Sequence, residues 1–299
     1  MTNITLKQLR YFEALAEHRH FGRAAEACLI TQPALSVQIK ELEETLSAPL
    51  FERGPREVRL TSFGETFGRR ARDILRAVDE LGELARAAGG GFAGRLRLGV
   101  IPTIAPYLLP QILSALSDRY PGLDVHVRET LTDGLIRELK AGRIDAAILA
   151  LPVSEPSFVE TTLFEEDFLL VRPASEAPSS IPAVADLRNE RLLLLEEGHC
   201  FRDQALSLCG VRPSEPREGM DGSSLSTLVQ MAGAGLGVTL IPAMAEAVET
   251  KAANVAVARF PSQTPKRTVG MIWRNSNPLT SQLQGVAAHL RDTTAPDAG

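Results

Sequence analysis

A glycine-rich run at residues 89–94 divides the chain into two segments whose apolar residues follow different periodicities. Before this run, apolar residues recur every three or four positions, as they do along one face of a helix. After it, short apolar runs alternate with helical patterns, which is typical of an α/β fold. The run therefore predicts a hinge at 89–94 between a mainly helical N-terminal region and an α/β domain of residues 95–299.

Residues 5–46 predict three short helices, of which the third has the most informative surface. It follows Thr31, which can cap a helix, and Pro33, which suits a first turn. Small hydrogen-bonding side chains at the start of a helix suit the base edges of a DNA major groove, so the region predicts a helix-turn-helix. The alternative is a three-helix packing unit with a solvated polar face. The predicted DNA-contacting residues of this helix are Thr31, Gln32, Pro33, Ser36, Gln38 and Lys40.

An alternating pattern at 50–61 predicts a β-hairpin that resembles the wing of a winged helix-turn-helix domain over residues 1–62. Its Arg53, Arg56 and Arg59 are placed for phosphate or minor-groove contacts. Residues 63–88 then predict one long linker helix with a heptad-like apolar repeat, which favours dimerisation over a helix packed only on its own core. The repeat consists of Phe67, Ala71, Ile74, Val78, Leu81, Ala85 and Ala88.

The segment beyond the hinge predicts a mainly parallel sheet flanked by helices. The predicted strands cover 95–101, 124–129, 145–151, 168–171, 192–196, 238–241, 255–260 and 268–273. The predicted helices cover about 106–119, 133–142, 201–209, 225–234 and 279–291.

Composition excludes several functional classes. The net charge is −5 and lies beyond residue 88, so any DNA binding must rest on local arrangement rather than on a basic domain. No apolar run approaches the roughly 18 residues of a membrane span, and three cysteines are too few for a secreted disulfide scaffold. A cytoplasmic protein without membrane association is expected. No P-loop, GxGxxG, GxSxG or metal-ligand pattern occurs, so no enzyme, metal or cofactor is predicted.

Two cysteines, Cys200 and Cys209, lie in one short window. Cys200 falls at a predicted helix start, where the helix dipole favours an anion, and His199 and Arg202 flank it. A thiolate is the form that attacks peroxide, and the Asp203 carboxylate opposes it electrostatically. The alternative roles of Asp203 are to orient Arg202, as a carboxylate–guanidinium pair would, or to orient the incoming oxidant.

If residues 201–209 are helical, the two cysteine Cα atoms lie roughly 13 Å apart. A disulfide needs about 7 Å or less, so bonding requires this segment to unwind. The alternative is that both are unrelated small apolar residues. The third cysteine, Cys28, lies on the apolar side of the second helix and is interpreted as a core residue.

Four motifs in the first sixty residues are similar to those of LysR-type transcriptional regulators. They are Phe-Gly-Arg-Ala-Ala-Glu at 21–26, Thr-Gln-Pro-Ala-Leu-Ser at 31–36, Ile-Lys-Glu-Leu-Glu at 39–43 and Leu-Phe-Glu-Arg at 50–53. The similarity runs to about Arg291. It implies a winged helix-turn-helix and a regulatory domain like a periplasmic binding protein. That domain would have one subdomain at about 95–165 with 268–299 and another at about 166–267, joined by two crossover strands.

The segment Gly-His-Cys-Phe-Arg-Asp-Gln-Ala at 198–205 resembles the hydrogen-peroxide-sensing members of this family. The resemblance implies that Cys200 reacts with peroxide and that Cys209 resolves it into a reversible disulfide. The implied peroxide pocket consists of Thr103, Thr132, His199, Arg202, Asp203 and Arg267. The implied function is regulation of the oxidative-stress response, with hydrogen peroxide as the signal. The implied partners are promoter operator DNA, further copies in a homodimer or homotetramer, and RNA polymerase.

Two features depart from this pattern. Phe201 stands where an aliphatic residue is expected, and residues 210–222 match little. One alternative function is a LysR-type regulator that binds a small organic effector near Thr103, Thr132 and Ser224, with incidental cysteines. Another is a thiol peroxidase, against which the predicted DNA-binding domain argues.

Overall fold

The computed structural model describes residues 3–53, 58–88, 92–177, 180–210, 221–260 and 264–294. The side chains of Arg53, Arg76, Asp79, Glu80 and residues 83–88 lie outside this description. The chain divides into two compact units, residues 1–85 and 86–299. No helix in the described ranges has the length and apolarity that a bilayer span requires.

The N-terminal unit contains the three helices and the hairpin that the sequence predicts. The helices are α1 (Leu6–His18), α2 (Phe21–Ala27) and α3 (Gln32–Leu46), and the hairpin pairs β1 (Phe51–Arg53) with β2 (Val58–Leu60). Their buried side chains surround Phe12, whose ring lies 5.2 Å from that of Phe51 and 5.1 Å from that of Phe67. This aromatic cluster packs the hairpin and the following helix onto α1.

Local capping fixes where these helices begin. Thr5 and Gln8 form a capping box at α1, and the Nδ1 atom of His20 accepts from two backbone amides at the start of α2. Thr31 Oγ1 accepts from the Ala34 amide at 3.4 Å, with proline in the first turn of α3. The sequence predicts this cap correctly, because threonine followed by proline is a local signal.

The long helix α4 (Ser62–Ala88) begins one residue before the predicted bound. Its first half packs on its own unit, since Ala71 and Leu75 are buried in the N-terminal core. Ile74 and Leu81 are 49% and 63% exposed. The predicted apolar repeat therefore has two parts. Its beginning is buried in the core of the N-terminal unit, whereas Ile74 and Leu81 are exposed.

The regulatory unit, residues 86–299, alternates strands and helices. Its strands are β3 (Gly94–Val100), β4 (Leu123–Glu129), β5 (Ala146–Leu151), β6 (Phe158–Pro173), β7 (Leu192–Leu195), β8 (Asp221–Gly222), β9 (Val238–Pro242), β10 (Val255–Ala258) and β11 (Lys266–Arg274). Its helices are α5 (Ala105–Arg119), α6 (Thr132–Lys140), α7 (Cys200–Leu208), α8 (Leu225–Gly233), α9 (Glu246–Glu249) and α10 (Thr280–Thr294). Short 3-10 turns lie at Ala174–Glu176, Val184–Asn189 and Ala243–Ala245.

The described strands of this unit form one sheet in the order β4-β3-β5-β11-β6-β9-β7-β8, with β10 beside β6. The prediction of a mainly parallel sheet is wrong for the middle of it. The pairs β3–β4, β3–β5, β7–β8 and β7–β9 are parallel, but every pair made by β6 or β11 is antiparallel. The reason is that β6 and β11 carry the chain between the two halves of the unit in opposite directions.

Two clusters of buried residues lie on either side of these crossing strands. One surrounds Trp273 and includes side chains of β3, β5, α5 and α10. The other surrounds Phe168 and includes side chains of β7, α7 and α8. The clusters separate between Phe164 and Phe168 on β6, close to the division expected between the two subdomains.

The hinge prediction needs one correction. Strand β3 begins at Gly94, so the hinge ends before that residue. Gly94 has φ of 93°, a conformation that glycine adopts without a steric penalty, and its amide bonds to the Gly122 carbonyl at 2.9 Å. Residues 89–91 of the predicted hinge lie outside the described part of the chain.

Candidate functional site

A small pocket lies where the carboxyl ends of strands from the two halves of this unit face each other. Its lining consists of Ile101, Pro102, Thr103, Leu131, Thr132, His199 and Cys200. Residues 101–103 follow β3, and residues 131–132 follow β4 at the start of α6. Residues 199–200 follow β7 at the start of α7. Carboxyl ends of strands are where α/β folds place their ligands, because the turns at strand ends and the helix N-termini converge there. Of the six predicted pocket residues, the structure brings Thr103, Thr132 and His199 together with Cys200.

Cys200 is the first residue of α7 and is half-buried. Gly198, with φ of 94°, turns the chain out of β7, and His199 in extended conformation starts the helix. The sulfur therefore lies at the positive end of the helix dipole, which favours a negative charge there.

Thr132 presents a buried hydroxyl without a hydrogen-bond partner in the described part of the chain. It is the first residue of α6, and its Oγ1 atom makes no hydrogen bond within the described residues. A buried hydroxyl without a partner costs free energy, so a polar molecule that bonds to it in this pocket would recover that cost.

Thr103 also lines the pocket and is 3% exposed. Its Oγ1 atom accepts from Nη1 of Arg267 at 3.0 Å, and its carbonyl accepts from Nη2 at 3.0 Å. Because the oxygen of this hydroxyl is already accepting, its own O–H is available to donate into the pocket.

Arg267 lies behind Thr103 rather than in the pocket lining. It pairs with Glu166 across β6 and β11 at 2.6 Å, and both side chains are buried. The second Glu166 oxygen accepts from the Met244 amide at 3.2 Å. The expectation that Arg267 lines the pocket is therefore wrong, and it acts on the pocket only through Thr103. Sequence reasoning missed Glu166, since a carboxylate in a charged run gives no sign of burial.

Arg202 and Asp203 do not enter the pocket. Arg202 donates to the Leu195 carbonyl at 2.6 Å and pairs with Asp221 at 2.9 Å. Asp203 is exposed on the first turn of α7. The predicted pairing of Arg202 with Asp203 is therefore wrong. Successive helix residues point in different directions, and Asp221 on the neighbouring strand offers a better geometry.

His199 completes the pocket as a neutral imidazole. Burial lowers its pKa below the ordinary 6.5, while the nearby Glu196 carboxylate partly opposes this shift. At neutral pH the ring therefore offers one hydrogen-bond donor and one acceptor.

Two family models match nearly the whole chain. "Bacterial regulatory helix-turn-helix protein, lysR family" covers residues 6–65, and "LysR substrate binding domain" covers residues 89–295. The chain belongs to the LysR family of transcription regulators. The family predicted from the motifs is confirmed, as is the expectation of a regulator rather than an enzyme.

Relatives of this LysR-family chain include peroxide-responsive regulators. It is 44% identical over 298 residues to a probable hydrogen peroxide-inducible genes activator of Streptomyces viridosporus, covering 96% of this chain and 94% of the relative. It is 39% identical over 290 residues to the DNA-binding transcriptional dual regulator OxyR of Escherichia coli K12, covering 96% and 95%. The chain is thus an OxyR homologue.

Solved OxyR structures share its fold. A full-length cysteine-to-aspartate variant of OxyR from Pseudomonas aeruginosa is 37% identical, with a TM-score of 0.77 over 97% of this chain and 95% of that chain. A hydrogen-peroxide-bound cysteine-to-serine variant of Corynebacterium glutamicum OxyR is 37% identical, with a TM-score of 0.67 over 97% and 92%. The predicted fold class is confirmed.

The other two cysteines of this LysR-family chain have different surroundings. Cys209 closes α7 and is 1% exposed within the second cluster. Helix α7 is observed, so the expected Cα separation of roughly 13 Å between Cys200 and Cys209 applies to this state. Cys28 packs on the N-terminal core, and burial raises the pKa of its thiol, which disfavours the reactive thiolate.

The predicted DNA-contacting residues lie along the outer face of α3. Thr31, Gln32, Pro33 and Lys40 are exposed, whereas Ser36 and Gln38 are partly exposed. Some are already engaged within the helix: Gln38 donates to Glu41 at 2.7 Å, and Lys40 pairs with Glu44 at 3.6 Å. On the hairpin, Arg59 is exposed. The side chain of Arg53 and the whole of Arg56 lie outside the described residues.

Ser224, which the organic-effector alternative requires, lies elsewhere. It caps α8, where its hydroxyl accepts from the Thr227 amide at 3.2 Å, and it does not line the pocket. Its hydroxyl oxygen therefore caps a helix outside the pocket.

Proposed function

We propose that this LysR-family chain binds promoter operators in double-stranded DNA and senses hydrogen peroxide through Cys200 and Cys209. One observation carries the proposal: the Cys200 sulfur, at a helix N-terminus, shares a pocket with the unpartnered Thr132 hydroxyl and the Thr103 hydroxyl. A molecule with two adjacent hydroxyl oxygens, each both donor and acceptor, has the hydrogen-bonding chemistry that these groups require. The relatives named as activators of hydrogen peroxide-inducible genes and the hydrogen-peroxide-bound OxyR structure support the same signal.

The first step is nucleophilic attack by the Cys200 thiolate on one peroxide oxygen. The S–O bond forms while the O–O bond breaks, and the departing hydroxide takes a proton from solvent to become water. Thr103 donates to the departing oxygen, and Arg267 polarises that hydroxyl from behind. The sulfur leaves this step as a sulfenic acid.

The second step forms the disulfide. The Cys209 thiol attacks the Cys200 sulfur, the sulfenic hydroxyl leaves as water, and an S–S bond replaces the S–O bond. In total, two thiols and one hydrogen peroxide give one disulfide and two waters. Because the Cα atoms must approach from roughly 13 Å to within about 7 Å, α7 has to unwind. This change in packing is the proposed switch.

The proposed partners follow from the surfaces of each unit. The outer face of α3 and the hairpin arginines contact DNA in the cytoplasm. The exposed Phe63, Ile74 and Leu81 of α4 support pairing with a second copy, and two dimers give the proposed homotetramer. The oxidised form then activates antioxidant genes by engaging RNA polymerase.

The experiment compares single cysteine variants of the reduced, full-length protein. After near-stoichiometric hydrogen peroxide, thiol loss is followed by quench-flow alkylation. Cys200→Ser is expected to abolish rapid thiol loss, whereas Cys28→Ser, the matched control, is expected to retain it. Equal thiol loss in both variants would reject Cys200 as the sensor.

A second comparison tests the pocket itself. Thr132→Val is expected to slow oxidation of Cys200 by about tenfold or more, the usual effect of losing a positioned donor. Its stability should not fall, because the removed hydroxyl has no partner within the described residues. An unchanged oxidation rate would contradict the proposed position of the peroxide.

A further inference from the structure

Phe201, the residue after Cys200, is the buried apolar anchor of the first turn of α7. It is 2% exposed, and its ring stacks on that of Phe168 with centroids 5.0 Å apart and planes 21° apart. The guanidinium carbon of Arg267 lies 5.3 Å from the same ring centre. Aromatic pairs and cation–π contacts of this kind stabilise the conformation that holds them.

The partners of this ring are fixed in place. Arg267 is buried, pairs with Glu166 at 2.6 Å and donates twice to Thr103. It therefore cannot follow Phe201 if the first turn of α7 moves. Phe168 is 1% exposed on β6 and is equally fixed by the second cluster. Displacing the turn must then break both ring contacts.

The Cys200 end of α7 is less firmly capped and less buried than the Cys209 end. The cap residue His199 makes no side-chain capping bond to the first turn, and the preceding Gly198 is exposed in a left-handed turn. Cys200 is only half-buried, whereas Cys209 is 1% exposed. Two kinds of contact hold this turn in place. Arg202 supplies polar contacts to Leu195 and Asp221, and the ring of Phe201 supplies the apolar contact to Phe168.

We infer that Phe201 is a positioning residue whose ring contacts stabilise the dithiol form and so set the thiol–disulfide equilibrium of Cys200 and Cys209. This inference rests on the proposed function. Since consecutive Cα atoms are about 3.8 Å apart, carrying Cys200 toward Cys209 withdraws Phe201 from its contacts. The disulfide form therefore lacks the stabilisation that the ring contacts give to the dithiol form. Because removing the ring destabilises the dithiol form alone, it favours the disulfide.

The test measures this equilibrium in glutathione buffers, using full-length protein with Cys28→Ser so that two cysteines remain. The two thiols give two electrons and two protons to oxidised glutathione, which becomes two reduced glutathiones. The fraction of disulfide is measured by alkylation and mass spectrometry. Phe201→Leu is expected to shift the equilibrium about tenfold toward the disulfide, which corresponds to about 30 mV.

Two further variants separate this role from general loss of packing. Phe168→Leu removes the stacking partner without changing α7, and it is expected to shift the equilibrium in the same direction. Phe260→Leu makes the same change at another buried phenylalanine of the second cluster and is expected to stay within about twofold of the parent.

The outcomes distinguish the two proposals. A parent chain that forms the disulfide, with Phe201→Leu unchanged or with Phe260→Leu shifted equally, would overturn the positioning role alone. A parent chain that forms no disulfide between Cys200 and Cys209, in these buffers or with peroxide, would overturn the proposed function together with this inference.

Discussion

Replacing Glu166 with glutamine is expected to destabilise the regulatory unit by about 3–5 kcal/mol, the usual cost of removing one partner of a buried ion pair. Glu166 and Arg267 are direct cross-strand partners on β6 and β11, 2.6 Å apart, with side chains 1% and 0% exposed. The substitution leaves the Arg267 charge buried without its counter-charge. The free-energy cost of keeping that charge out of water is then the largest contribution to the loss of stability.

The neighbouring residue provides a matched control on the same two strands. Glu165 pairs with Lys266 at 3.9 Å, but these side chains are 59% and 55% exposed. Exposed pairs contribute about 1 kcal/mol or less, because water screens the charges and both side chains lose rotamer freedom. Glu165→Gln is therefore expected to change stability by less than about 1 kcal/mol.

Chemical denaturation of the full chain, followed by fluorescence of its single tryptophan, measures both effects. Trp273 is fully buried on β11, so its emission reports unfolding of the regulatory unit. A loss in Glu166→Gln no larger than that in Glu165→Gln would refute the argument that burial makes this pair essential.

Three further predictions concern other sites. Because burial lowers the folded-state pKa of His199 below 6.5, the unfolded chain binds that proton more readily as the pH falls. Stability should therefore decrease as the pH falls through about 6.5, the ordinary pKa of histidine, and His199→Gln should flatten this decrease in denaturation curves. Gly64→Ala should cost roughly 3 kcal/mol, since the added Cβ would lie 2.1 Å from the Leu50 carbonyl oxygen. Gly82→Ala, whose added Cβ would meet no described atom within 4 Å outside its own stretch of helix, should instead raise the melting temperature of α4 and its unit. Gln32→Ala should weaken binding to a footprinted promoter fragment by about 1–3 kcal/mol in an anisotropy titration, whereas Gln111→Ala, at an exposed position of α5, should not.

Local signals account for the part of the fold that the sequence predicts. The helices and strands predicted with stated bounds, apart from the strand at 168–171, begin and end within three residues of those bounds, because caps and periodic apolar residues act over one or two turns. The short elements α9 and β8 are not predicted. Strand β6 shows where this fails. Only its end at 168–171 is predicted, since Glu165-Glu166-Asp167 interrupts the apolar pattern. Glu166 is buried there because Arg267, 101 residues later, pairs with it.

The sequence likewise predicts only part of the candidate site. The resemblance to the LysR family supplies Thr103, Thr132, His199 and Cys200, which the structure gathers in one pocket. It does not supply the orientation of Arg202, which depends on Asp221 in a poorly matched segment. Contacts between distant segments decide such orientations, and a single sequence carries no local signal for them.

The central claim is the disulfide between Cys200 and Cys209, and peptide mapping tests it most directly. The reduced, full-length protein is treated with near-stoichiometric hydrogen peroxide, blocked by alkylation, digested without reductant and analysed by mass spectrometry. The account predicts a peptide pair linked through Cys200 and Cys209, with Cys28 alkylated as a free thiol. Unreacted Cys200 and Cys209 in excess peroxide, or a linkage through Cys28, would contradict it.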